Sequence, residues 1–322
     1  MKEAYNRHHP PPQLPRTYSA PIQSQVHFLT FAGGDDIFRR QVQRIEREAK
    51  ELGCFDSIHA LTDVSDHPWV QRLLLEHGPF LRTHKKGFGL WLWKPYLVHK
   101  AIRAIGDGDL LVYMDSGCEL SQSGQNVFTE YLRYANVNEA MLWEIPFIER
   151  DWTSSYLIES LAVPSEYQAS RQIQATWFII KRTQRTLDLT DRWLNLCLLG
   201  SSEYLIGAPT DPNTGSSNLS FLTNHRQDQS IFSLLCKMHK LRPLPWQDRF
   251  APWLYVRGSW IFQFPVHARR CKRNGVVHRL STMGTLFDGK LSRIEFMTRV
   301  IAARLLYALL TAARIIMKPL RS

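Results

Sequence analysis

Apolar residues follow two alternating patterns along this chain: short, nearly continuous runs, and longer stretches in which they recur at helical spacing. Val26 to Phe31 is the first run, closed by Gly33-Gly34. Ile37, Val42, Ile45, Ala49 and Leu52 then share one face of a predicted helix with charges opposite, and Gly53 stops it. Ser57 to Leu61 predicts a second strand, and Pro68 to Glu76 a helix opened by its proline. Leu97, Val98, Ala101, Ile102 and Ile105 give the apolar face of a helix that begins at Pro95. Gly106 to Asp109 reads as a turn. Leu110 to Met114 is apolar almost throughout, as a central strand covered on both faces is.

The second half reads less evenly. Asn126 to Tyr134 predicts a helix, Ala140 to Ile145 a strand, Thr176 to Lys181 a strand, Thr183 to Leu199 a helix, and Asp228 to Lys240 another. Residues 150–175 show no clear period. Gly207 to Asn218, rich in Gly, Pro, Ser and Asn, reads as a loop. Strands alternating with helices predict an α/β fold, with a mostly parallel central sheet flanked by helices.

Composition adds limits. The 322 residues, 44% of them apolar and 21% charged, suit one large or two ordinary globular domains. Residues 1–24 carry His8, His9, Pro10, Pro11, Pro12 and Pro15 and read as a disordered leader without the apolar core of a secretory signal. Five cysteines, with no C-x-x-C, argue against a disulfide scaffold or a structural zinc site, and for a reducing compartment.

A net charge of +11 favours anionic partners. Much of it lies in the tail, where Arg293, Arg299, Arg304, Arg314, Lys318 and Arg321 share an arc of roughly 140° on a helical wheel. Ile301, Leu305, Leu309 and Ile316 occupy the other face. The tail's charge-free run is too short to span a bilayer, which takes about 20 residues. Its pattern is that of an interfacial helix on an anionic membrane, or of a helix docked on the domain with its basic face in water. The expected division is a leader (1–24), a catalytic domain (25–290) and a basic amphipathic C-terminal helix (291–322). The expected location is cytoplasmic, peripheral to a membrane.

Three segments carry candidate chemistry. Asp115 ends the central strand, and ligands bind at the carboxyl ends of strands in open α/β sheets. A carboxylate there suits Mg²⁺ or Mn²⁺, or is an ordinary turn aspartate. Glu119, and His267 or His278 near the end of the globular part, are candidates to complete a metal shell. In K-G-F-G-L-W-L-W-K-P, Gly87 and Gly89 allow backbone N–H groups to approach an anion, and Lys85, Lys86 and Lys94 offer point charges to phosphate. Trp91 and Trp93 suit stacking on a base or sugar, or the core, with one of them expected to pack inward. In His225-Arg226-Gln227-Asp228-Gln229, Asp228 is either a helix cap or a general base for an acceptor hydroxyl, and Arg226 is the second candidate catalytic residue.

K-G-F-G-L-W-L-W-K-P-Y-L-V-H-K, G-D-G-D-L-L-V-Y-M-D-S-G-C-E-L and H-R-Q-D-Q-S-I-F-S-L-L together resemble a poorly characterised group of GT-A-type glycosyltransferases of polysaccharide biosynthesis. More distantly they are similar to sugar transferases with a D-x-D motif. The resemblance implies a GT-A-like fold and transfer of a hexose from a nucleotide diphosphate sugar to a glycan or lipid-linked acceptor. It implies that Lys86, Gly87, Gly89, Trp93 and Lys94 lie on the donor side, that Asp115 is the first D-x-D acid, and that Asp228 is near the acceptor. The motif departs at Gly117, where the second acid belongs, so either Glu119, a histidine such as His278, or water completes the Mn²⁺ or Mg²⁺ shell, or metal dependence is weak. Two alternatives stand beside this reading. One is a catalytically inactive nucleotide- or sugar-binding module, which the missing acid allows. The other is a basic nucleic-acid-binding protein, disfavoured because the charge sits on an apolar tail and no nucleic-acid motif is present.

Overall fold

The computed structural model describes residues 22–199, 202–208, 225–244 and 265–268. Its elements are β1 (Val26–Ala32), α1 (Asp36–Leu52), β2 (Ser57–Thr62), α2 (Pro68–Thr83), α3 (Gly87–Leu90), α4 (Trp93–Ala104), β3 (Leu110–Met114), β4 (Cys118–Leu120), α5 (Gln125–Asn138), β5 (Ala140–Met141) and β6 (Glu144–Ile148). There follow α6 (Glu149–Trp152), α7 (Ser155–Ser160), α8 (Ser165–Gln168), β7 (Arg171–Ile173), β8 (Trp177–Lys181), α9 (Gln184–Leu198), α10 (Glu203–Ile206), α11 (Gln227–Met238) and β9 (Val266–Ala268).

The central sheet has five strands in the order β2-β1-β3-β8-β5. β1 runs parallel to β2 and β3, while β8 is antiparallel to both β3 and β5. All but β8 therefore point the same way. This is the α/β plan, mostly parallel and flanked by helices, that the pattern and the GT-A resemblance imply. Successive strand residues face opposite sides of the sheet and divide the core in two. Leu29, Phe31, Leu111, Tyr113, Phe178 and Ile180 pack with residues of α2, α4, α9 and α11. Val26, Phe28, Leu110, Val112 and Ile179 pack with α1 and α5. The rings of Trp193 and Phe232 pack at a tilt with centroids 4.6 Å apart between α9 and α11, and a buried side chain of this class contributes about 1.5–3 kcal/mol.

Local signals set most boundaries. Asp35 caps α1 by accepting from the Ile37 N–H, and Gly53 ends it in the left-handed conformation at φ 66°. Thr183 and Thr186 form a reciprocal cap on α9. Two boundaries differ from expectation. α2 runs on through Pro79 to Thr83, because Leu81 is buried and draws the last turn onto the core. The predicted strand Ala140–Ile145 is two strands: β5 pairs with β8, and β6 leaves the sheet to pair with β7. Ala140 to Trp143 and Ile145 are buried, so the apolar pattern runs across the change of partner and hides it. The unreadable stretch 150–175 contains three short helices and β7.

The leader through residue 21, loop residues 209–218, His278 and the basic tail from Arg293 lie outside the described residues. Among the described residues, no helix is long and apolar enough to cross a membrane.

Candidate active site

Asp115 follows β3 two residues after Tyr113 and so faces the same side of the sheet, toward α4 and α11. α4 brings Lys94 to this point and α11 brings Asp228. The Lys94 ammonium lies 3.1 Å from Asp115 Oδ1 and 3.2 Å from Asp228 Oδ2. It donates to the Ala175 carbonyl at 3.1 Å. The Tyr113 hydroxyl donates to Asp115 Oδ1 at 2.6 Å. Rings of Trp93 and Tyr113 flank the ammonium, with centroids 5.8 and 5.4 Å away. The side chains of Lys94 and Asp228 are 4% and 5% exposed, whereas Asp115 is 31% exposed and is the member open to solvent.

Lys94 has three protons, and three protein oxygens surround it. Expected to meet a phosphate, it is turned inward and serves as the counter-ion of two acids. One ammonium cannot balance two carboxylates, and the imbalance falls on Asp228. Burial raises its pKa to about 6; Lys94 opposes the shift and Asp115 adds to it. Burial works against the charge on Lys94, but the two carboxylates outweigh it and its pKa is raised. Burial and Asp115 push the Tyr113 phenol well up, so it is a neutral donor. Lys94 approaches Asp228 Oδ2 off a hydrogen-bonding angle, which leaves that buried oxygen without a hydrogen-bond donor. Buried oxygens are rarely left so, and this one is suited to accept a proton from an incoming hydroxyl.

The turn after Asp115 is pinned from its other side. Arg44 of α1 donates to the carbonyls of Ser116 at 2.9 Å and Cys118 at 2.7 Å. Its partner Glu48 accepts from the Leu120 N–H at 2.9 Å. Glu119 stands on β4, in register with His267 on β9. Among the described residues, no three His, Cys, Asp or Glu side chains converge on a metal-sized point. Asp115 Oδ1 is already taken by Tyr113 and Lys94. The described donor set does not fit the Mn²⁺ or Mg²⁺ expected beside Asp115.

The K-G-F-G-L-W segment is stranger than its composition suggests. Five consecutive residues, Gly87 to Trp91, have positive φ values of 61, 49, 83, 52 and 63°. L-residues visit this region singly, at a cost of roughly 1–2 kcal/mol each. Such strain persists where surroundings over-determine it, and it clusters at functional sites. Here the turn lays Phe88 over Gly33 and Gly34 at the carboxyl end of β1. A Cβ on Gly87 would meet the Trp91 ring at 2.4 Å, and one on Gly89 would meet Leu81 Cδ2 at 2.3 Å. These glycines make room for protein side chains. Trp93 packs inward, 4.8 Å from Phe31, and its ring N–H donates to the Gly87 carbonyl at 3.0 Å. Lys85 and Lys86 remain exposed. Nearby, Arg39 of α1 grips Asp63 with two bonds of 2.8 Å, and the Gly34 N–H donates to the same carboxylate at 3.1 Å, tying the loop after β1 to the end of β2.

The Arg226 guanidinium lies 4.6 Å from the ring of Phe147 and 5.7 Å from that of Trp152. His225 is buried and pushed down to about 4 by desolvation, so it is neutral. Its Nδ1 accepts from the Ser154 N–H at 3.3 Å, and its Nε2 lies 3.1 Å from the Tyr204 carbonyl. Sequence reasoning missed the groups that hold Asp228 in place. Glu149 accepts from Lys237 at 2.7 Å, from Thr153 at 2.9 Å and from Ser233. Gln229 donates to Gln172 at 3.1 Å, and Trp193 donates to the Asp228 carbonyl at 3.0 Å. The available signal was a lone lysine, Lys237, in an otherwise apolar helical run.

No family model matches this chain, and no curated protein matches it. Among solved structures, it is similar to a glycosyltransferase involved in the glycosylation of the major capsid of PBCV-1, with 10% identity, a TM-score of 0.40, and coverage of 81% of this chain and 99% of the other. It is also similar to the galactosyltransferase LgtC in complex with donor and acceptor sugar analogues, with 11% identity, a TM-score of 0.42, and coverage of 83% and 98%. At these scores neither likeness assigns a role to any residue here.

Proposed function

We propose that the protein is a glycosyltransferase that moves a hexose from a nucleotide diphosphate sugar to a hydroxyl of a glycan or lipid-linked acceptor. Asp228 carries this reading: a buried carboxylate pushed up to about 6, its Oδ2 3.2 Å from the Lys94 ammonium, behind the solvent-open Asp115 at the carboxyl end of β3. Asp228 takes the proton of the acceptor hydroxyl as its oxygen bonds to the anomeric carbon. The bond from that carbon to the diphosphate breaks, and its electron pair leaves with the diphosphate. Lys94 fixes both acids, and the exposed Lys85 and Lys86 are the cations left for the departing charge. The basic C-terminal tail would hold the enzyme on an anionic membrane beside a lipid-linked acceptor.

The test is a panel of UDP- and GDP-sugars, read by thermal shift and by donor hydrolysis, on the wild type and on Asp228→Asn. One donor class is expected to shift both proteins, with hydrolysis lost in the variant. A panel that shifts neither protein overturns the reading.

A further inference from the structure

The D-S-G turn sits between two fixed cations. Lys94 holds the Asp115 carboxylate from the α4 side, and Arg44 holds the Ser116 and Cys118 carbonyls from the α1 side. Asp115 is the carboxylate that a strand-end metal would draw on. The second acid is replaced by Gly117, and Asp228 is bound to the same ammonium as Asp115. We infer that this site works without a divalent cation, and that Lys94 and Arg44 fix the two acids and the turn at the end of β3 in place of a metal. The inference rests on the glycosyltransferase reading and deepens it.

The chemistry balances without a metal. The acceptor proton passes to Asp228, the new bond forms at the anomeric carbon, and the diphosphate leaves with the bonding pair. Lys94 is buried among the two carboxylates and the Ala175 carbonyl, so it is a positioning residue: it holds two like charges together at a point they would otherwise avoid. Arg44 is likewise committed to backbone carbonyls and to Glu48, 2.7 Å away.

The experiment uses the full chain. MnCl₂ and MgCl₂ are titrated calorimetrically into wild type and Asp115→Asn, and donor hydrolysis and thermal shift are measured in EDTA and in Mn²⁺. No saturable metal site that depends on Asp115 is expected, and hydrolysis and shift are expected to be unchanged by EDTA. A loss of about tenfold or more in EDTA, restored by Mn²⁺, overturns the inference and leaves the glycosyltransferase reading standing. An Asp115-dependent metal site does the same. A panel that gives no shift in either condition ends both. Lys94→Met supplies a second readout in whatever fraction folds. The rate–pH midpoint is expected to move to higher pH, since Asp228 loses the cation that favours its charged form. An unmoved midpoint would remove Lys94 from the mechanism.

Discussion

Among the described residues, two lysines are buried, and they keep different company. Lys237 meets one carboxylate, Glu149, whose oxygens also accept from Ser233 and Thr153. Charge is matched one to one, and every oxygen has a donor. Lys94 meets two carboxylates, and one oxygen of Asp228 has no hydrogen-bond donor. Both clusters cost desolvation. The Glu149 cluster recovers that cost through complete pairing, and it ties α11 to α6 and β7. The Lys94 cluster retains an excess negative charge and an unmet acceptor, which no stability argument explains. A surplus kept at the expense of the fold marks a site that does chemistry, and the balanced cluster is the frame that aims it.

The comparison breaks or holds on a pair of variants. Asp228→Asn is expected to cut transfer by about 10²–10⁴-fold, the usual worth of a positioned general base. Its melting temperature at pH 8 is expected to hold or rise, because the cluster becomes neutral. Glu149→Gln is expected to do the reverse, losing about 3–5 kcal/mol of stability as a buried pair is broken. The protein that remains folded should turn over at the wild-type rate per molecule. Denaturant titration beside specific activity reads both. If Glu149→Gln is inactive yet stable, the balanced cluster is itself catalytic and the distinction between the two fails.

What the sequence shows and what it hides follow from the same physics. The strands β1, β3 and β8 are legible because both of their faces are buried and their apolar runs are nearly unbroken. Asp115 is legible because it ends one of them, and Asp228 because polar residues precede an apolar helix there. Their meeting through Lys94 is not legible, since the residues lie far apart in the chain. Lys94 invites a reading as a phosphate ligand from its glycine and tryptophan neighbours. Yet Trp93, Pro95, Tyr96, Leu97 and Val98 beside it are all buried, so α4 has no wet face there to present it on. A single lysine in such a run is the sign of an internal ion pair, and Lys237 repeats the sign.

Gly89 separates packing from binding in the same segment. Its φ of 83° is costly for alanine, and the new Cβ would also lie 2.9 Å from the Leu81 Cα, which cannot swing aside. Gly89→Ala is expected to lose about 1–3 kcal/mol of stability, measured by denaturant midpoint. Donor affinity in the folded fraction should be unchanged. A weaker donor with intact stability would return the glycine to an anion-binding role and shift the functional boundary toward α3.

The smallest effect is the most specific to Asp228. Its folded pKa of about 6 lies above its ordinary value of 3.8, chiefly because the charged form is buried. The folded state therefore binds more protons than the unfolded chain between those values. Asp228's contribution to stability is fully present below its ordinary value and is lost as pH rises through about 6. Activity as a base runs the other way, because only the carboxylate accepts a proton. The rate is expected to be half-maximal near pH 6 and to fall to about a tenth by pH 5. In Asp228→Asn, the rise in melting temperature over wild type should be largest above pH 7 and should vanish below pH 4. Glu149→Gln provides the control, since its destabilisation should not follow that window. If wild type and Asp228→Asn melt in parallel from pH 4 to pH 8, Asp228 carries no surplus charge and the contrast between the two lysines dissolves.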